Sequence, residues 1–154
     1  MRSRGIADMR TIRTYSELIL IDSFLERYRY LRLQGTVGEA TFGFDRYLNQ
    51  RFYHSKEWRE IRDFIIVRDT GCDLGMLDHE IKGAIYIHHM NPMLPEDLRR
   101  ITASTLDPEY LVCTSYRTHS AIHYGDESLL DLGFVERTPF DTCPWRKNEK
   151  GISR

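Results

Sequence analysis

Four of the six histidines in this 154-residue chain fall into two close pairs, carried on segments of opposite periodicity. His88 and His89 end the run Ala84-Ile85-Tyr86-Ile87-His88-His89, whose β-branched and aromatic alternation predicts a strand. His119 and His123 lie within Ser115–His123, which reads as a helix that Ser115 opens and Gly125 ends. Residues i and i+4 share one helix face, whereas neighbours on a strand point to opposite sides. Packing this strand on this helix can therefore gather His88, His119 and His123 around one cation and leave His89 beside it, unligated. Three neutral imidazoles suit a borderline ion such as zinc, and nickel or cobalt also fit. Three protein ligands leave a position open for water or for a substrate oxygen. His54 and His79 have no comparable partner and read as surface residues.

A length of 154 residues fits one compact domain with an appended helical segment, and 41 % hydrophobic residues is enough for a core. No apolar run approaches the roughly 20 residues of a membrane span, and the N-terminal stretch lacks the apolar segment of a secretory signal. A cytoplasmic protein without membrane partners is expected. Cys72, Cys113 and Cys143 are odd in number and far apart, which fits neither a disulfide framework nor a paired-cysteine zinc site, so idle or buried thiols are expected. Net charge is −1, but residues 1–70 hold 13 Lys/Arg against 10 Asp/Glu, and the rest hold 9 against 13. That asymmetry permits a local basic patch on the first half and excludes a broad polycation. Arg2, Arg4, Arg10 and Arg13 form either a solvated terminus or an arm that lies on phosphates.

Thr14-Tyr15-Ser16-Glu17 has the form of a capping box, and Leu18, Ile21, Leu25, Tyr28 and Leu31 follow at helical spacing. One helix to about Leu33 is expected, broken by Gly35 and Gly38. Phe42, Phe44 and Tyr47 in the next stretch read as packing residues. Ser55 is the expected cap of a further helix with Trp58, Ile61 and Ile65 on its apolar stripe, ended at Thr70-Gly71. A connection of about twenty residues containing Pro92, Pro95 and Pro108 then leads to a second short strand, Leu111–Thr114; loops that long inside a domain usually serve function. The tail beyond Glu127, with Pro139, Pro144 and Trp145, is expected to wrap the surface.

The segments Ile87-His88-His89-Met90-Asn91-Pro92, Leu111–Thr114 and Thr118-His119-Ser120-Ala121-Ile122-His123 together resemble the ββα-metal core of HNH endonucleases. The double histidine and the HxxxH helix resemble the colicin-type branch. The flanks Phe52–Trp58 and Gly71–Gly75 resemble small HNH proteins of bacteriophages. The resemblance implies an α+β fold: a ββα-metal core over residues 51–130, additional N-terminal helices over 1–50 and an irregular C-terminal tail over 131–154. It implies a DNA endonuclease in which His89 is the general base, His88, His119 and His123 hold one divalent metal ion (zinc, magnesium, manganese or nickel), and the products carry 5′-phosphate and 3′-hydroxyl ends. Arg68 and Arg117 are candidate DNA-phosphate contacts. Phage packaging machinery is the partner that such relatives suggest, and the host cytoplasm the compartment.

Two positions depart from that pattern. Many relatives carry two CxxC pairs that bind a structural zinc, but here Cys72 stands alone, with Ser115 and Thr118 at the downstream cysteine positions, so no structural zinc is expected. The family's loop-pinning asparagine aligns with Tyr110, which leaves the loop to be held by Tyr110, Asp107 or Glu109. A metal-stabilised module that binds DNA or a partner without cutting is the alternative. A zinc protease is disfavoured, because position 120 is Ser where HExxH needs Glu.

Overall fold

Thr14 opens the first helix as its sequence predicts: its hydroxyl accepts from the Glu17 amide at 3.3 Å, and α1 runs Tyr15–Leu18. The helix does not continue to Leu33. It breaks, and Ser23 caps a separate helix, α2 (Phe24–Leu31), by accepting from the Glu26 amide. The break is stabilised by Arg27, whose buried guanidinium donates to the carbonyls of Ile19 and Ile21 that a continuous helix would have used, and to that of Leu74. Helical spacing alone does not reveal this, since Leu18 before the break and Tyr28 and Leu31 after it are all fully buried.

This computed structural model describes residues 12–33, 46–93 and 103–132. The basic arm Arg2–Arg10, the Phe42–Phe44 stretch, Pro95 and the tail with Pro139, Cys143, Pro144 and Trp145 lie outside the described residues. Beyond the break, α3 (Arg46–Tyr53) leads to α4 (Lys56–Arg68), where Ser55 caps by accepting from the Trp58 amide at 3.2 Å and Trp58 and Ile65 are buried as expected. Thr70 and Gly71 both adopt positive φ and end α4 in the left-handed region.

A two-stranded antiparallel sheet follows, β1 (Tyr86–His89) paired with β2 (Leu111–Thr114) in the register Tyr86↔Thr114, Ile87↔Cys113, His88↔Val112 and His89↔Leu111. A short helix, α5 (Ala103–Leu106), lies in the connection, and α6 (Tyr116–Tyr124) follows β2 directly. Ser115 caps α6 through the Thr118 amide, and Gly125 ends it at φ 65°. Only glycine fits there, because a Cβ would come within 2.7 Å of the Leu33 carbonyl oxygen.

β2 is buried on both faces. Leu111 and Cys113 face α4, in a cluster with Phe52, Trp58 and Ile65. Val112 faces the other way, into a cluster with Leu18, Phe24, Tyr28, Leu31 and Ile122. The N-terminal helices thus share one apolar core with the sheet and α6. The architecture is α+β, and among the described residues no helix is long and apolar enough to cross a membrane. Cys72 and Cys113 are free and buried, and burial first, then the Asp69 carboxylate, pushes the Cys113 thiol up to about 12.

Candidate metal centre

Strand alternation sends the two adjacent histidines of β1 in opposite directions. His88 shares the Val112 face and is 2 % exposed; its ring lies 5.5 Å from that of His119 and 5.2 Å from that of His123, nearly perpendicular to both. One turn apart on α6, the Nε2 atoms of His119 and His123 are 3.3 Å apart. One nitrogen from each of the three rings lies within 4.8 Å of the others.

The donor set fits a metal ion on two observations. Among the described residues His88 Nε2 is buried with no hydrogen-bond partner, a state that costs about 1–3 kcal/mol unless something occupies its lone pair or proton. A tetrahedral ion with Zn–N bonds of about 2.0–2.1 Å places its ligand nitrogens about 3.3–3.4 Å apart, which is the His119–His123 spacing. Burial holds the His88 imidazole well below its ordinary range, and the neighbouring histidines and Arg13 push the same way. Burial, with His123 next, lowers His119 to about 4. Burial lowers His123 as well, so all three rings are shifted toward the neutral form, the one that ligates.

His89 turns toward α4. Its ring stacks on Trp58 at 5.3 Å and 16°, and its Nε2 lies 3.1 Å from the Thr105 carbonyl oxygen. A carbonyl only accepts, so Nε2 carries the proton and Nδ1 keeps its lone pair. Burial lowers His89 to about 4, the Thr105 bond opposing. Although it points away from His88, His89 is near enough that its charge would lower both His88 and His119.

The connection between the strands is held without a central asparagine side chain. Tyr110 contributes its backbone, the carbonyl accepting from the Met90 amide at 2.9 Å. Asp107 accepts from the Glu109 amide, and Glu109 accepts from the Ser16 amide, tying the loop to α1. Arg68 is the larger brace. Its guanidinium donates to the carbonyls of Pro108 and Leu111 and to the Asp69 carboxylate, and lies 3.4 Å from the Tyr15 ring centroid. Those partners tie Arg68 to the loop between the strands. Arg117 is exposed at the start of α6, 3.9 Å from Asp131.

Two participants escape sequence reading, and a third, Arg13, is singled out there only as one of four basic residues. The Thr105 carbonyl belongs to no motif. Asn91 bonds the backbone of Arg13 in both directions at 2.8 Å, a contact across 78 residues. Arg13 then donates from Nε to the Tyr30 carbonyl, and among the described residues its two terminal nitrogens have no partner. Its place in a basic N-terminal run was the available signal, but nothing in that run distinguished it from Arg2, Arg4 or Arg10.

Comparison with known proteins returns no matching family model, no matching curated protein and no matching solved structure.

Proposed function

We propose that this chain is a metal-dependent DNA endonuclease of the HNH type, with β1, β2 and α6 as its ββα-metal core. The observation that carries the reading is the convergence of three imidazole nitrogens, one of them buried and partnerless, beside a fourth imidazole whose tautomer is fixed by a backbone carbonyl. A structural ion would need the first three rings alone. A hydrolase also needs a base at its edge, and His89 supplies one.

In this reading His88, His119 and His123 hold one divalent ion, zinc or nickel being the best match to three imidazoles. When bound, the ion supplies positive charge for the phosphate oxygens and for the leaving 3′ oxygen. His89 Nδ1 takes a proton from water as the water oxygen bonds to phosphorus, in line with the departing 3′ oxygen. The P–O3′ bond breaks, and the 3′ oxygen takes its proton from solvent. Thr105 keeps His89 in the tautomer that can accept, and Trp58 holds the ring plane. Arg13, brought beside the histidines by Asn91, pairs with a non-bridging phosphate oxygen through its terminal nitrogens.

The test is plasmid nicking with zinc, nickel, magnesium or manganese, each with and without chelator, for the wild type and His89→Ala. The expected result is metal-dependent nicking that His89→Ala abolishes while zinc still binds. Tight DNA binding without nicking under every metal would favour the non-cutting module, which the Tyr110 substitution keeps as the second reading. Nicking unaffected by His89→Ala would remove His89 from the base role.

A further inference from the structure

The histidine centre continues outward into an aromatic ledge. On α6, Tyr116, His119 and His123 fall at i, i+3 and i+7, one stripe of the helix. On β1, Tyr86 and His88 fall at i and i+2, one face of the strand. The two stripes face each other, histidines at the inner end and tyrosines at the outer. Tyr86 sits between them, its ring 5.6 Å from His119 and 5.9 Å from Tyr116. The step from His88 to Tyr86 along the strand is about 7 Å, comparable to the reach from a phosphate to the base of its own nucleotide.

These tyrosines differ from those in the core. Tyr28 donates to the Ala121 carbonyl, Tyr30 donates to Glu17, and Tyr15 lies under Arg68. Tyr86 and Tyr116 are 39 % and 67 % exposed, and among the described residues neither hydroxyl has a hydrogen-bond partner. Among the described residues their ring contacts are with each other and, for Tyr86, with His119.

We propose that Tyr86 and Tyr116 form a stacking platform for an unpaired nucleobase next to the scissile phosphate, so that the preferred substrate is single-stranded or locally unpaired DNA. The inference rests on the endonuclease reading and names its substrate class. In a continuous duplex both faces of each base are covered by its neighbours, so a ring outside the helix can stack only on a base that has left it.

The experiment measures binding by fluorescence anisotropy of one labelled oligonucleotide as single strand, as perfect duplex and as duplex with a one-nucleotide bulge. Chelator prevents cutting, and the full chain is used as wild type, Tyr86→Ala, Tyr116→Ala, Tyr86→Phe and Tyr116→Phe. The expected result is tenfold or greater preference of the wild type for the single strand and the bulge over the duplex. Each alanine variant should lose about 5- to 150-fold on the unpaired substrates, the span of one base–aromatic stack, with duplex binding unchanged and each phenylalanine variant close to wild type. Unchanged zinc uptake by the alanine variants shows that the centre is intact. Equal affinity for all three substrates, or alanine variants that bind single strands as the wild type does, overturns the platform. Because no cleavage is needed, a protein that stacks unpaired bases yet never cuts DNA refutes the nuclease and keeps the platform. One that nicks duplex and single strand alike does the reverse.

Discussion

The Asn91 side chain closes a ring of two hydrogen bonds with the backbone of Arg13, the Arg13 amide donating to Oδ1 and Nδ2 donating to the Arg13 carbonyl, each at 2.8 Å. Asn91 follows the strand that carries His88 and His89, so this ring couples the N-terminal segment to the centre. Burial chiefly lowers the His88 imidazole, and the neighbouring histidines and then the Arg13 charge push the same way.

If Arg13 binds the phosphate, Arg13→Ala lowers the nicking rate roughly 100-fold, the size of effect seen when one preorganised donor to developing charge is lost. Arg13→Lys recovers part of it, keeping charge but losing the fork. Asn91→Ala gives a smaller loss, because the arginine remains but is no longer anchored. Zinc affinity by calorimetry stays at the wild-type value in all three, since none is a ligand. A drop in zinc affinity that matches the drop in rate would assign Arg13 to upkeep of the metal centre instead.

His88 is expected to be a liability without metal. Its buried Nε2, partnerless among the described residues, costs about 1–3 kcal/mol in the metal-free chain, so His88→Leu should raise the urea midpoint of metal-free protein. Bound metal reverses the comparison. An ion at 100 times its dissociation constant adds about 2.7 kcal/mol to the native state, and His88→Leu should forfeit most of it. Thermal melts of both proteins, with chelator and with excess zinc, should therefore cross. Wild-type melts that do not respond to zinc would refute the site.

Much of this centre is legible in the sequence, and the reason is physical. The pairing of an i, i+4 histidine helix with a histidine-ended strand fixes which rings converge, because side-chain periodicity is local. The Ser55 and Ser115 caps were legible for the same reason, each hydroxyl serving an amide three residues on. What stayed hidden depends on contacts between distant parts of the chain. The break between α1 and α2 is stabilised partly through Arg27 and the Leu74 carbonyl, 47 residues away. Arg68 lay on a helix face that also fits a solvated or phosphate-facing arginine, and its bonds to Pro108 and Leu111 cross 40 and 43 residues. The Thr105 carbonyl left no mark in the sequence, since every residue there would present one.

The metal-free protein should lose stability as pH falls from about 6.5 toward 4. His89 and His119 are lowered to about 4 in the folded chain, in both cases chiefly by burial, against an ordinary value of 6.5. Depressed bases take protons more readily when unfolded, so their contribution is complete above 6.5 and is lost as pH drops toward the folded value. Each pKa unit corresponds to about 1.4 kcal/mol, so His89 alone accounts for on the order of 3 kcal/mol. Urea denaturation of chelated protein at half-unit steps between pH 7.5 and 4 reads the slope, and His89→Phe should flatten it. A midpoint constant across that window would contradict burial of neutral rings.

Asp73 ties α6, which carries His119 and His123, to the turn after α4. Its carboxylate accepts from the Thr118 hydroxyl at 2.6 Å and the Ser115 amide at 3.2 Å, and Ser115 in turn caps Thr118. Thr118 precedes His119, so this cluster sets the start of the helix that aims that imidazole. Asp73→Ala leaves buried donors unpaired and should cost about 1–3 kcal/mol of stability. Thr118→Val removes one donor together with its need for a partner, so its cost should be smaller. The double variant should fall short of the sum of the two, with a coupling of about 0.5–3 kcal/mol if the pair acts as a unit. Zinc affinity should weaken in Asp73→Ala although Asp73 touches no ligand, because a frayed first turn must be reordered before His119 and His123 can converge. Additive stabilities together with undisturbed zinc affinity would show that the helix holds its geometry without Asp73.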